Sequence, residues 1–347
     1  RQSYDWGSTT AIPEMLGLES DGAPWAEQWY GAHPAGPTRL ADGRTLAALL
    51  ASDPDRFLGE DIMRRFGPQL PFLLKVIAPD RALSLQVHPS LDQAVRGFER
   101  ENTAGLAPDS PARNFKDPNH KPEMVLALTR FEAVAGFRAP RRAAEVLGGL
   151  DSPPARRMRR TLRLNPTRFG IRQAFTELVS ADTRPEASEM AELVAEISRR
   201  LAEGRSPSRR VDANVVEMAR AFPHDPGIAA ALLLNPVTLR RGEALFVPAG
   251  SVHAYISGLG VEIMASSDNV LRAGLTTKHV DVPAMLACVD YVAAPPVRPA
   301  PEYLSRATRA YYAPVDDFEL LVTTVVPRDG RVPVPGRGPR ILLGLEG

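Results

Sequence analysis

The sequence predicts a mainly β fold interrupted by an α-helical insertion, with a second β domain begun at the carboxy terminus. Three observations carry that expectation. Residues 1–137 read mostly as short strands punctuated by Pro and Gly, residues 138–226 place apolar residues at helical spacing among arginines and alanines, and strand texture returns at Pro236. At 347 residues the chain exceeds the usual size of one domain. We therefore expect a main β domain of residues 1–137 plus 227–290, a helical domain of residues 138–226 inserted into it, and a carboxy-terminal β domain that starts at residue 291 and is cut short at residue 347.

In chain order, residues 4–8 and 25–34 mix aromatics with glycines, which suits strand ends or a pocket rim. Residues 46–50 predict a short helix with Thr45 as its cap. Residues 72–78, Phe-Leu-Leu-Lys-Val-Ile-Ala, form an apolar run broken by Lys75. This reads as a buried strand with the lysine turned toward an anionic or polar partner, or as an edge lysine reaching solvent. Residues 82–90, Ala-Leu-Ser-Leu-Gln-Val-His-Pro-Ser, alternate so that Ser84, Gln86 and His88 share one face while Leu83, Leu85 and Val87 share the other. A buried face carrying a hydroxyl, an amide and an imidazole is costly unless something satisfies those groups, and a cation would do so. Farther on, Lys121 and Glu123 stand two apart at the mouth of an apolar strand and share a face; taken alone, such a pair is usually an exposed ion pair of little worth.

The helical insertion shows its periodicity in Met190, Leu193, Val194, Ile197 and Leu201, with Pro185 before it and Gly204 after it. Ile171, Phe175, Leu178 and Val179 form a second apolar face. The arginine group Arg156, Arg157, Arg159, Arg160 and Arg163 has no interleaved aromatics and reads as a solvated face. Beyond it, Gly242, Pro248, Gly250 and His253 stand in the pattern G-x5-P-x-G-x2-H, a turn-strand-turn-strand signal that points the histidine inward toward the strand of Gln86 and His88. From Tyr311 onward, residues 318–326 and 340–345 read as short strands.

Composition narrows the function. A net charge of +1 shows no global bias toward nucleic acid or an anionic membrane, so neither is expected as a partner. The single cysteine, Cys288, excludes an internal disulfide and a thiolate zinc cluster and suits a reducing compartment, so a cytoplasmic location is expected. No apolar run is long enough to span a bilayer.

The G-x5-P-x-G-x2-H pattern resembles the second signature motif of the cupin superfamily, whose double-stranded β-helix (jelly-roll) barrels bind a metal through inward-facing strand residues. Two departures stand out: Ser257 occupies the place of an expected Asn, and Gln86 that of the first histidine of the generic first motif. A closer resemblance covers more of the chain. Residues 70–76, 83–89, 116–123, 248–255 and 267–276 together resemble type I mannose-6-phosphate isomerase (phosphomannose isomerase), collinearly and across residues 4 to about 290.

That resemblance implies one zinc ion per chain, held by Gln86, His88, Glu123 and His253, and an oxygen and imidazole donor set of this kind suits a catalytic zinc with one open position. It further implies Arg272, Lys121, Glu262 and Asp268 as catalytic candidates, and Ser84, Lys75, Tyr255, Trp6, Glu27 and Lys278 as substrate-binding candidates. Arg272, Lys75 and Lys278 are the cations available to a substrate phosphate. The reaction implied is aldose-ketose isomerisation of mannose 6-phosphate and fructose 6-phosphate by proton transfer between C1 and C2 through an enediol, supplying mannose for sugar-nucleotide synthesis, in a monomer whose partner is a small sugar phosphate. The rival readings are an iron-dependent cupin oxygenase and a non-catalytic sugar-phosphate-binding protein. His33, His120 and His279 stay outside the expected metal set, and His224 is expected in an exposed turn.

Overall fold

The structure, a computed structural model, describes residues 1–336 and 338–346; residues 337 and 347 of the expected carboxy-terminal β segment lie outside the described residues. Two five-stranded antiparallel sheets form its centre. The first runs β1 (Glu27–Tyr30), β2 (Phe72–Ile77), β9 (Gly260–Ala265), β4 (Glu123–Ala127) and β7 (Ala244–Val247). The second runs β10 (Leu271–Gly274), β3 (Leu85–Val87), β8 (His253–Ser257), β5 (Phe131–Phe137) and β6 (Leu234–Leu239). The sheets share an apolar core, with Ile77, Val125 and Leu245 from the first packed with Phe131, Ala133, Val237 and Tyr255 from the second.

Period-two alternation sorts each strand between this shared interior and an outer layer. On β4, Glu123 and Val125 face inward while Met124 and Leu126 join an outer cluster with Leu74, Phe246, Ile263, Tyr311 and Phe318. A small third sheet covers that side, β11 (Glu302–Tyr303), β12 (Thr308–Tyr311) and β13 (Leu320–Thr323). Residues 340–345, expected as a strand, carry no ladder; Ile341, Leu343 and Leu345 nevertheless pack on the outer cluster, so the alternation reported burial rather than strand pairing.

The outer face of the second sheet is covered by the insertion, as α6 (Pro140–Val146), α7 (Pro153–Leu164), α8 (Arg168–Val179), α9 (Ala187–Ala202), α10 (Arg209–Ala221) and α11 (Gly227–Ala230). Its buried residues, among them Phe175, Met190, Leu193, Ile197 and Met218, merge with Leu85, Val87, Val134, Ala254 and Leu271 into one continuous core. Each such large apolar side chain contributes about 1.5–3 kcal/mol on burial, so the insertion is bound to the sheet by the same force that forms its own interior. The arginines of α7 lie outward, Arg157 paired with Glu189 at 2.9 Å.

The amino-terminal part is less purely β than its texture predicts. Between and around β1 and β2 lie α1 (Ala11–Met15), α2 (Leu46–Ser52), α3 (Pro54–Leu58) and α4 (Glu60–Phe66), and β3 is followed by the thirteen-residue α5 (Leu91–Thr103). Thr45 caps α2, as expected. A capping box of Ser90 and Gln93 starts α5 and cuts the predicted strand of residues 82–90 short, leaving only Leu85–Val87 in the ladder. At the other end of the segment, before β3, Leu83 is not on the face of Leu85 and Val87: it packs into the inter-sheet core, its amide bonded to the Tyr255 carbonyl at 2.9 Å. The last helix, α12 (Val282–Cys288), carries the buried, unpaired Cys288. Among the described residues no helix is long and apolar enough to cross a membrane.

Candidate metal centre and sugar site

Register lines up one row of side chains across the second sheet. Arg272 on β10 pairs with Gln86 on β3, and Gln86 pairs with His253 on β8, so all three project to the same side. The first sheet supplies the facing row, Trp29, Lys75, Glu262 and Val125, with Glu123 two residues before Val125. Both motif glycines are required by the backbone: Gly242 has φ 82 and Gly250 has φ 80, and the Gly250 turn, its amide bonded to the His88 carbonyl at 2.9 Å, swings His253 back over His88.

Between the sheets His88, Glu123 and His253 converge, with their ligand atoms within 4.8 Å of one another, the one such group of His, Cys, Asp and Glu among the described residues. All three are buried. The Nδ1 of His88 meets the Asn269 carbonyl at 2.8 Å and the Nδ1 of His253 meets the Ser251 carbonyl at 2.9 Å. A carbonyl only accepts, so Nδ1–H donates in each ring and Nε2 carries the lone pair. Those Nε2 atoms lie 3.3 and 2.9 Å from the Glu123 carboxylate and, among the described residues, have no hydrogen-bond partner. Two imidazole lone pairs and a carboxylate facing one another in a dry interior repel unless a cation sits among them. The donor set therefore fits a bound metal, and oxygen plus imidazole donors suit zinc.

The electrostatics agree. Burial and the Lys121 ammonium push His88 down to about 4, which keeps its ring neutral. Burial alone would raise Glu123, but the Lys121 ammonium, foremost among its neighbours, outweighs it and holds the carboxyl well below its ordinary value. Lys121 is buried 2.7 Å from Glu123, so this is no exposed ion pair. Tyr255 donates its hydroxyl to Glu123 at 3.2 Å, and burial followed by Glu123 and Glu262 raises its pKa far above the usual phenol value.

Beside this centre Lys75 is enclosed, 3.4 Å from Glu262 and 3.7 Å from Glu27, with its ammonium 5.0 Å from the Trp29 ring centroid. Burial opposes its charge, yet Glu27, Glu262 and Glu123 together raise its pKa. Burial also raises Glu262, against the pull of Lys75. Lys75 thus faces acids, which resolves the choice its sequence context left open, and is the least available of the three phosphate candidates.

Arg272 is half-buried and Lys278 exposed, and both have lowered pKa values; burial is the first cause in each, with Arg272 and Lys116 adding to the effect on Lys278. Lys278 sits over the Tyr4 ring at 5.7 Å, and Tyr4 stacks on Trp6 at 5.6 Å, so Trp6 joins this rim while also packing against the inter-sheet core. Ser84, half-buried, lies just before β3 and outside the ladder.

Several site residues carried no role in the sequence reading. Asn269 is fully buried and ties the two loops of the site together. Its side chain accepts the Lys116 amide at 2.7 Å and donates to the carbonyls of Asp117 at 2.7 Å and Asn119 at 2.8 Å, while its own carbonyl orients His88. Asp117 completes the knot by accepting from Ser267 Oγ and the Asp268 amide, each at 2.8 Å. Trp29 was within reach of sequence reasoning, since it stands two residues from Glu27 on one strand and donates to it at 2.6 Å. Of the histidines set aside, His33 lies 3.1 Å from Asp268, His120 lies 3.1 Å from Asp317, and His224 and His279 are exposed.

Comparison with known proteins agrees with this geometry. The family model of the phosphomannose isomerase type I catalytic domain matches residues 1–140. Mannose-6-phosphate isomerase of Escherichia coli K12 is 36% identical over 339 residues, covering 91% of this chain and 80% of that protein. The apo crystal structure of mannose 6-phosphate isomerase from Salmonella typhimurium superposes with a TM-score of 0.81 at 36% identity, covering 92% of this chain and 79% of that one. A zinc-bound crystal structure of mannose 6-phosphate isomerase gives 0.80 at 36% identity, with 92% and 80% covered.

Proposed function

The chain belongs to the type I phosphomannose isomerase family, and from that premise we infer that it interconverts mannose 6-phosphate and fructose 6-phosphate with zinc as cofactor. The observation that carries this is the pair of orphaned imidazole nitrogens facing Glu123. His88, Glu123 and His253 would hold the zinc, with Gln86 added from the same sheet face as His253. When bound, the zinc supplies a Lewis acid at the carbonyl end of the open sugar.

The chain's own residues account for the rest. Lys121 and Arg272 supply fixed positive charge where the enediolate develops, Lys121 from the Glu123 side and Arg272 from the facing sheet. Glu262 is committed to Lys75, and burial favours its protonated form. Asp268 is the half-exposed carboxylate of the site. Burial opposes its charge, but His33 and nearby cations hold it below the usual range and so keep it ionised, which suits it to accept a hydrogen bond from a sugar hydroxyl. Lys278, paired with no carboxylate among the described residues, suits the substrate phosphate, while Ser84, Trp6, Glu27 and Tyr255 would contact the sugar.

The same reading takes the two facing sheets as the double-stranded β-helix of the cupin superfamily, residues 138–226 as its insertion and residues from 291 as a second β domain. It gives the chain a cytoplasmic, monomeric role in supplying mannose for sugar-nucleotide synthesis. A coupled assay of fructose 6-phosphate formation from mannose 6-phosphate tests it: activity in the zinc-loaded protein that chelator abolishes is expected, and no activity in zinc-loaded protein overturns it.

A further inference from the structure

We propose that His33 is a positioning residue of this site, holding the Asp268 carboxylate so that its free oxygen accepts a substrate hydroxyl. The proposal rests on the isomerase reading and concerns a histidine outside the metal set. His33 is 7% exposed, too buried for a surface group, and it is held from both sides. Its Nδ1 accepts the Ala35 amide at 3.2 Å, so the hydrogen-bond network assigns the ring proton to Nε2, which lies 3.1 Å from Asp268 Oδ2. The carboxylate thus meets the imidazole through one oxygen.

Its backbone is anchored too, since the Asp268 amide donates to Asp117 at 2.8 Å within the knot that also fixes Asn269 and, through it, His88. Yet the Asp268 side chain remains 44% exposed, and among the described residues its second oxygen has no protein partner. A carboxylate pinned at one oxygen, open at the other and one residue from the support of a metal-binding histidine is built to receive a hydroxyl in a set direction. A hydrogen bond to a charged group of this kind changes rates by about ten- to hundredfold.

His33 has a second contact, edge-on to Trp29 at 5.0 Å, so a purely structural role as packing for that ring is the competing account. Two substitutions separate them. His33→Phe keeps an aromatic edge against Trp29 and removes the donor; His33→Gln keeps a donor near the Nε2 position and removes the ring. With mannose 6-phosphate as probe and zinc content measured alongside, His33→Phe should lower kcat about ten- to hundredfold with zinc retained, and His33→Gln should recover most of that loss. The reverse order, or unchanged kcat in His33→Phe, overturns the proposal.

A cycle guards against simple misfolding: in an Asp268→Asn background His33→Phe should add little further loss, whereas losses that multiply overturn the coupling. Wild-type protein without isomerase activity would count against the isomerase reading. Active wild-type protein with an indifferent His33 would count against this inference alone.

Discussion

The Arg200–Asp212 pair under the helices and the Lys75, Glu262, Glu123 and Lys121 cluster between the sheets are both buried, but only the first is closed. Arg200 meets Asp212 through Nε at 2.7 Å and through a second nitrogen at 2.5 Å, and its remaining donors reach the carbonyls of Val146 at 3.0 Å and Gly148 at 3.1 Å. Every charge there has a partner from the chain, and the pair ties α9, α10 and the end of α6 together. The inter-sheet cluster has comparable burial and more charge, yet among the described residues it leaves two imidazole nitrogens aimed at a carboxylate with nothing to satisfy them. Burial of charge thus distinguishes neither structure nor function; an unclosed set of donors does.

Four experiments break or sharpen that contrast. The largest effect is expected from metal removal: chelation should reduce isomerase activity to background and lower the melting temperature, both restored by zinc, because only the open cluster is completed by a ligand. Next, Arg200→Met leaves Asp212 buried and unpaired and should cost about 3–5 kcal/mol in urea unfolding, whereas adding Asp212→Leu should return most of it. In that single variant the zinc content and kcat of the remaining folded protein should be normal, and loss of zinc would erase the distinction drawn here.

Third, Arg272→Ala should lower kcat about 10²- to 10³-fold while zinc stays bound, and Gln86→Ala should weaken zinc and activity together by about tenfold or more, as measured by metal content against turnover. Full activity in both would show the facing rows to be structural. The smallest effect concerns Cys288, which shares the core under the helices and whose thiol burial pushes up to about 11. Native protein at pH 8 should react with a thiol reagent far more slowly than unfolded protein, and Arg200→Met should speed that reaction.

Much of the site was legible because strand parity is a local rule. Gln86 with His88, and Lys121 with Glu123, share faces by a spacing of two, and the turns signalled by G-x5-P-x-G-x2-H are there, with both glycines at positive φ. The departures are local too: residues 82–90 alternate like a strand up to Ser90, yet its capping box with Gln93 starts α5, and residues 340–345 alternate in burial without pairing. Lys75 could not be decided from its own neighbours, since its two acids come from β1 and β9, positions 27 and 262.

By itself, then, the sequence determined the strand and helix periods, the histidine-bearing motifs, the resemblance that joins them and, with one cysteine, that no thiolate cluster holds the metal. Those are properties of spacings of two to seven residues, or of residue types at fixed offsets. Only the tertiary structure decided that His88 is oriented by Asn269 across 181 residues, that Lys121 and Glu123 are buried together, and that His33 meets Asp268. The physical reason is that these contacts depend on how two sheets close on each other. Closure is set by the sum of burial over many strands, and no short stretch carries that information.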